Sequence, residues 1–194
     1  MDRLSELIAK SDIEDVLFRY ARAVDRRDWS ALRACFHEDA IDEHGEFRGG
    51  LEAFIEWVSK RHANVPFSMH FLGNCLIEFL DDATAAVETY FIAIQRRETP
   101  ATLDNSEIAR TDLEVFARYC DRFENRDGVW RIAHRRVAYD STRNQPSSDH
   151  LRQLVGVIGR RDRQDPIFSL NADVPTKASD GYVAGEVHPG LPPK

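Results

Sequence analysis

Residues 11–29, SDIEDVLFRYARAVDRRDW, constrain this chain more than any other stretch. Ile13, Val16, Leu17, Tyr20 and Val24 recur at offsets of 3, 4, 7 and 11, the period of a helix with one buried face. Ser11 with Glu14 has capping-box spacing, which predicts a helix start at Ser11 after a short helical lead-in carrying Leu4 and Ile8. Arg19, Arg22 and Arg26 fall on the opposite, wet side. Two residues depart from a plain amphipathic pattern. Tyr20 brings a hydroxyl onto the apolar face, and Asp25 stands at the C-terminal end, where a carboxylate works against the helix macrodipole. Asp25 also lies on the apolar flank formed by Phe18 and Ala21, which makes it a candidate functional group.

A helix with one apolar face needs a partner surface, and the following chain supplies it in a definite order. Asp28 is an N-cap for a short helix over residues 29–36, and Leu51, Phe54, Ile55 and Val58 give a third helix that ends before Pro66. Between these two, residues 37–50 are polar, with Ala40-Ile41 and Glu46-Phe47 as strand pieces. The period then changes. Residues 67–80 and 84–94 are apolar and rich in β-branched and aromatic residues, with a turn at Asp81-Asp82. Residues 96–106 read as a polar connection, and residues 107–124 as a strand with Leu113, Val115, Ala117, Tyr119 and Phe123 on one parity. Asp127-Gly128 is a hairpin signal, and residues 129–139 return as the last strand. Helices first and hairpin-linked strands afterwards predict an α+β fold, with helices packed on one face of a curved antiparallel sheet. After Asp140 the composition shifts to an expected loop (141–149), a short helix (150–159), a charged stretch (160–166) and an irregular Pro/Gly-rich tail (174–194). The predicted division is therefore a domain over residues 1–140 and an extension over 141–194.

A net charge of −7, with acidic residues close to most of the arginine pairs, argues against a nucleic-acid footprint. Cys35, Cys75 and Cys120 lack metal-ligand spacing and read as reduced thiols in a cytoplasm. The first ten residues have no signal-peptide core, and no apolar run approaches the roughly 20 residues of a membrane span. Nucleotide-cradling glycine loops, a serine elbow and an HExxH motif are all missing. His37, His44 and His62 fall in segments expected at the surface. His70, within Ser68-Met-His-Phe-Leu-Gly73, starts an apolar strand where a charged imidazolium needs a partner.

The run Tyr20-Ala-Arg-Ala-Val-Asp25-Arg-Arg-Asp-Trp29, the later His70-Phe-Leu-Gly-Asn74 and the closing Asp127-Gly-Val-Trp130 together resemble the SnoaL-like branch of the nuclear transport factor two-like superfamily. The resemblance spans roughly residues 3–140. It implies a cone-shaped curved sheet wrapped around the long N-terminal helix, enclosing an apolar pocket. Within that superfamily the chain is most similar to the scytalone dehydratase, bile acid dehydratase and hexachlorocyclohexane dehydrochlorinase group. Asp25 and His70 match the Asp–His dyad of those enzymes, and Tyr20 stands where one of them uses a catalytic tyrosine. Arg135 resembles an arginine that assists leaving-group departure. The second tyrosine of scytalone dehydratase has no counterpart in residues 37–50, a departure that counts against that particular substrate.

The resemblance implies a cofactor-independent lyase acting on a small hydrophobic, cyclic molecule. His70 would abstract a proton, Asp25 would stabilise the imidazolium, and Tyr20 and Arg135 would polarise an oxygen or the departing group. Phe18, Trp29, Phe54, Trp57, Phe71, Tyr90, Phe91 and Phe116 are the expected pocket liners. Double-bond isomerisation and polyketide cyclisation are alternatives on the same scaffold. So is a non-catalytic binding or assembly subunit, like the β subunits of ring-hydroxylating dioxygenases. Relatives of this kind form dimers or trimers through the outer sheet face, so a homo-oligomer is expected, with the extension as lid or interface.

Overall fold

In the computed structural model, which describes residues 1–99, 109–147 and 156–170, α1 (Arg3–Arg26) is one unbroken helix of 24 residues. The cap is Asp2, whose side chain accepts from the Ser5 amide at 2.7 Å, so the predicted start at Ser11 falls inside the helix. Neither glycine nor proline interrupts residues 3–26, and Ser11 is an exposed interior position. The helix stops at Arg27, which takes φ 53° and turns its amide back to the Ala23 and Val24 carbonyls. α2 (Trp29–Ala34) starts at its Asp28 cap, and α3 (Leu51–His62) packs on the first two strands.

Six strands form one sheet: β1 (Phe36–His44), β2 (Phe47–Gly50), β3 (Ser68–Phe79), β4 (Thr84–Thr99), β5 (Ala109–Arg126) and β6 (Val129–Pro146). Their order is β2-β1-β6-β5-β4-β3, so the sheet is unclosed, and it curves around α1 as the cone expected. Every pairing is antiparallel except β1 with β6, which is parallel. The β1–β2 hairpin docks on the edge of β6 that β5 leaves open. Asp127 and Gly128, both at positive φ, make the tight β5–β6 turn.

The last strand runs past Tyr139, where a loop was expected. Residues 141–146 pair with Phe116 back to Thr111, so this polar segment is strand. Its ladder is made by backbone groups and does not depend on side-chain polarity. Residues 156–159 are irregular and not helical, and α4 (Pro166–Leu170) follows them. The remainder of the expected 150–159 helix and the tail beyond 170 lie outside the described residues.

The core lies between α1, α3 and the inner sheet face. Ile13, Leu17, Leu32, Phe54, Phe123 and Ile132 are all at most 1% exposed. Each contributes about 1.5–3 kcal/mol by burial. The inner parity of β5 is the predicted one: Leu113, Val115, Ala117, Tyr119 and Phe123 are buried. Several expected pocket liners are placed elsewhere. Phe71 follows the inward His70, so it must point outward, and it is 64% exposed. Tyr90, next to the inward Phe91, is likewise exposed, whereas Phe54 and Phe91 are plain core.

Candidate active site

The alternation of β3 turns Ser68 and His70 to the same inner face, directly against the last turn of α1. Asp25 meets both. Its Oδ1 accepts from Ser68 Oγ at 3.0 Å and from His70 Nδ1 at 2.7 Å, while Oδ2 accepts from the His70 amide at 2.8 Å. The two side chains are 10% and 7% exposed for Asp25 and His70 respectively. A carboxylate partner fixes the hydrogen of His70 on Nδ1 and leaves the Nε2 lone pair as the available base. Apolar patterning and the family resemblance pointed to both partners, but not to Ser68, which supports the carboxylate from the same strand.

Tyr20 and Arg135 lie one layer deeper. Arg135 is fully buried, and its guanidinium is stacked between the rings of Tyr20 and Tyr119 at 4.0 and 3.9 Å. Nε and Nη2 donate to Asp121 at 2.8 and 2.6 Å. Burial opposes the charge of Arg135, yet Asp121 outweighs it and holds the guanidinium protonated well above its ordinary range. Burial likewise raises the Tyr20 phenol far above its usual value, only partly offset by Arg135, so the hydroxyl keeps its proton. Tyr119 and Asp121 went unnoticed as candidates. Position 121 carried a signal, because a charge interrupts the apolar parity from Leu113 to Phe123.

The extension reaches the same end of α1. Arg161 donates to the Asp25 and Val24 carbonyls at 2.9 and 3.1 Å, to the Val65 carbonyl at 2.5 Å, and to His62 Nδ1 at 2.8 Å. Ion pairs Arg26–Asp165 and Arg163–Asp28 tie down the rest of the segment. His62 is therefore buried, contrary to expectation. Burial and then the Arg161 charge push its pKa down to about 3. His37 is buried too, bonded through Nε2 to the Glu124 carbonyl at 2.9 Å, since its strand packs against β6.

A notch of about 180 Å³ opens between α1 and β3, lined in part by Glu14, Leu17, Phe18, Leu72 and Thr89. Leu72 stands two residues beyond His70 on the same face of β3, and neither His70 nor Asp25 lines the notch itself. A larger depression of about 410 Å³ lies among Glu78, Glu88, Arg122 and Arg136, away from the dyad. Among the described residues no group of three His, Cys, Asp or Glu side chains could hold a metal ion, and no helix is long and apolar enough to cross a membrane.

Residues 5–136 match the family model described as SnoaL-like domain. No curated protein sequence matches significantly. Among solved structures, a hexachlorocyclohexane dehydrochlorinase superposes with TM-score 0.64 at 18% identity, covering 77% of this chain and 96% of that one. A provisionally named scytalone dehydratase from Novosphingobium aromaticivorans DSM 12444 gives 0.62 at 22% identity, covering 74% and 91%. A protein of unknown function from Mycobacterium tuberculosis gives 0.56 at 27% identity, covering 72% and 77%.

Proposed function

The chain belongs to the SnoaL-like domain family, and from that premise we propose that it is a cofactor-independent lyase, a dehydratase or dehydrohalogenase, acting on a small hydrophobic cyclic substrate. The observation that carries this reading is the 2.7 Å contact between His70 Nδ1 and an Asp25 carboxylate held by two further hydrogen bonds. His70 Nε2 takes a proton from a carbon next to a carbonyl or leaving group. Asp25 stabilises the imidazolium that forms. Tyr20 and Arg135, both held in protonated form, polarise the oxygen or the departing group. The small notch beside Leu72, with Leu17 and Phe18 in its wall, suits a single ring more than an extended chain. Relatives with dehydratase and dehydrochlorinase names support elimination over the isomerisation that shares its first step.

The outer sheet face exposes Met69, Phe71, Tyr90 and Ile92, which suits the homo-oligomer expected of the family. The test of the lyase reading is a panel of halogenated cyclohexanes, cyclic β-hydroxy ketones and β,γ-unsaturated ketones, followed by NMR. Elimination by the wild type that falls about 100-fold or more in His70→Ala is the expected result. Turnover that survives His70→Ala would sink the reading.

A further inference from the structure

Asp42 is a deeply buried charged group that the dyad leaves unused. It lies on β1 with its side chain 1% exposed, and neither carboxylate oxygen has a hydrogen-bond partner. Two further polar atoms are in the same condition. One is Nδ1 of His44, 3.5 Å from Asp42 Oδ1, and the other is Nη1 of Arg135. Strand register sets Asp42, Arg135 and Asp121 on one rung across β1, β6 and β5. Arg135 turns Nε and Nη2 to Asp121 and pairs with that residue, not with Asp42. Buried carboxylates and guanidinium nitrogens are rarely left unbonded, because their lost hydration has to be replaced. Unpartnered donor and acceptor atoms on one rung therefore mark a place built for a polar group.

The chemistry of that group follows from what surrounds it. It must donate to Asp42 and accept from Arg135 Nη1. A hydroxyl does both. A halide only accepts, and it would face the Asp42 carboxylate. An ammonium only donates, and it would face the guanidinium. Two aspartates flank one arginine on the rung, which further disfavours an anion. His44 is the member that reaches solvent, at 19% side-chain exposure, beside the half-exposed Tyr139 ring at 6.3 Å.

We propose that Asp42, Arg135 Nη1 and His44 form a hydroxyl-binding subsite that takes the alcohol group of a small cyclic ligand. Tyr20 stacks on the same guanidinium, so the subsite adjoins the proposed polarising pair, and its occupancy is a question of binding that stands apart from the lyase reading.

Water offers the same hydroxyl chemistry, and binding of two matched probes separates the sources. The wild type is titrated with cyclohexanol and with chlorocyclohexane by ligand-observed NMR, and crystals are soaked with each. The expected result is a preference for the alcohol of about tenfold or more. Its oxygen should lie about 2.6–3.2 Å from both Asp42 and Arg135 Nη1, and the preference should shrink towards parity in Asp42→Asn. Equal or tighter binding of chlorocyclohexane by the wild type overturns the subsite. So does a water oxygen that stays on the rung while cyclohexanol binds elsewhere or not at all. The wild-type comparison stands even if the variant does not fold. Neither measurement needs turnover, so an inactive protein that seats the alcohol on the rung refutes the dyad and keeps the subsite. An active protein that leaves the rung empty of alcohol does the reverse.

Discussion

Arg135 shows how much a single buried charge depends on its partners. With Asp121 bound at two nitrogens and a tyrosine ring on each face, it is stable only as a set. Arg135→Met strands the Asp121 carboxylate in the core and should cost about 3–5 kcal/mol in urea unfolding. Arg135→Met combined with Asp121→Leu removes both charges and should cost clearly less than the sum of the singles. Additive losses would show that the two do not act as a pair. At this scale Asp25 and His70 were legible, since each is a polar group set where apolar patterning leaves it unexplained. The inward direction of Arg135 was not, because it alternates with His134 and Arg136 and three cationic-type neighbours carry no parity signal. His62 was hidden for another reason: it becomes buried only through Arg161, 99 residues away in the chain.

Between elements, the strap formed by residues 156–170 closes the C-terminal end of α1. Arg161 donates to the Asp25 carbonyl at the end of the helix and adds a second donor to the Val24 carbonyl, which already accepts from the Arg27 amide. Arg161→Ala should lower stability by about 1–3 kcal/mol, with Arg161→Lys intermediate because it lacks the planar fork. The same contact makes the fold acid-sensitive. The folded pKa of His62, about 3, lies below its ordinary 6.5, so the unfolded chain binds this proton more readily. Stability is complete above pH 6.5 and declines as the pH falls from 6.5 towards 3. Arg161→Ala removes one cause of the depression and should flatten that decline, read from unfolding midpoints between pH 7 and pH 4. An unchanged slope would place the acid sensitivity elsewhere. Most element types were readable from period and order, but residues 156–159 are not the helix expected, β4 runs on to Thr99 into the expected connection, and other boundaries moved as well. The α1 start moved because Asp2 caps as well as Ser11 would, and the end of β6 moved because ladder bonds do not require apolar side chains.

At the scale of the molecule, the cone brings a carboxylate from the first helix onto a histidine 45 residues later, with a protonated tyrosine and arginine behind them. Its helix-then-strand order was legible. The filling of its interior was not, because which aromatic ring lines a space and which fills it depends on packing across strands distant in sequence. Phe91 and Tyr119 stack at 4.1 Å where open pocket was expected. The central claim is that Asp25 makes His70 a base towards carbon. Its most direct test is the rate of deuterium uptake at the α-carbons of cyclohexanone in heavy water, which requires no leaving group. The wild type should accelerate exchange, and Asp25→Asn and His70→Ala should each lose about 100-fold or more of that acceleration while remaining folded. Equal exchange by all three proteins, or none by a folded wild type, would contradict the dyad as a proton-abstracting centre.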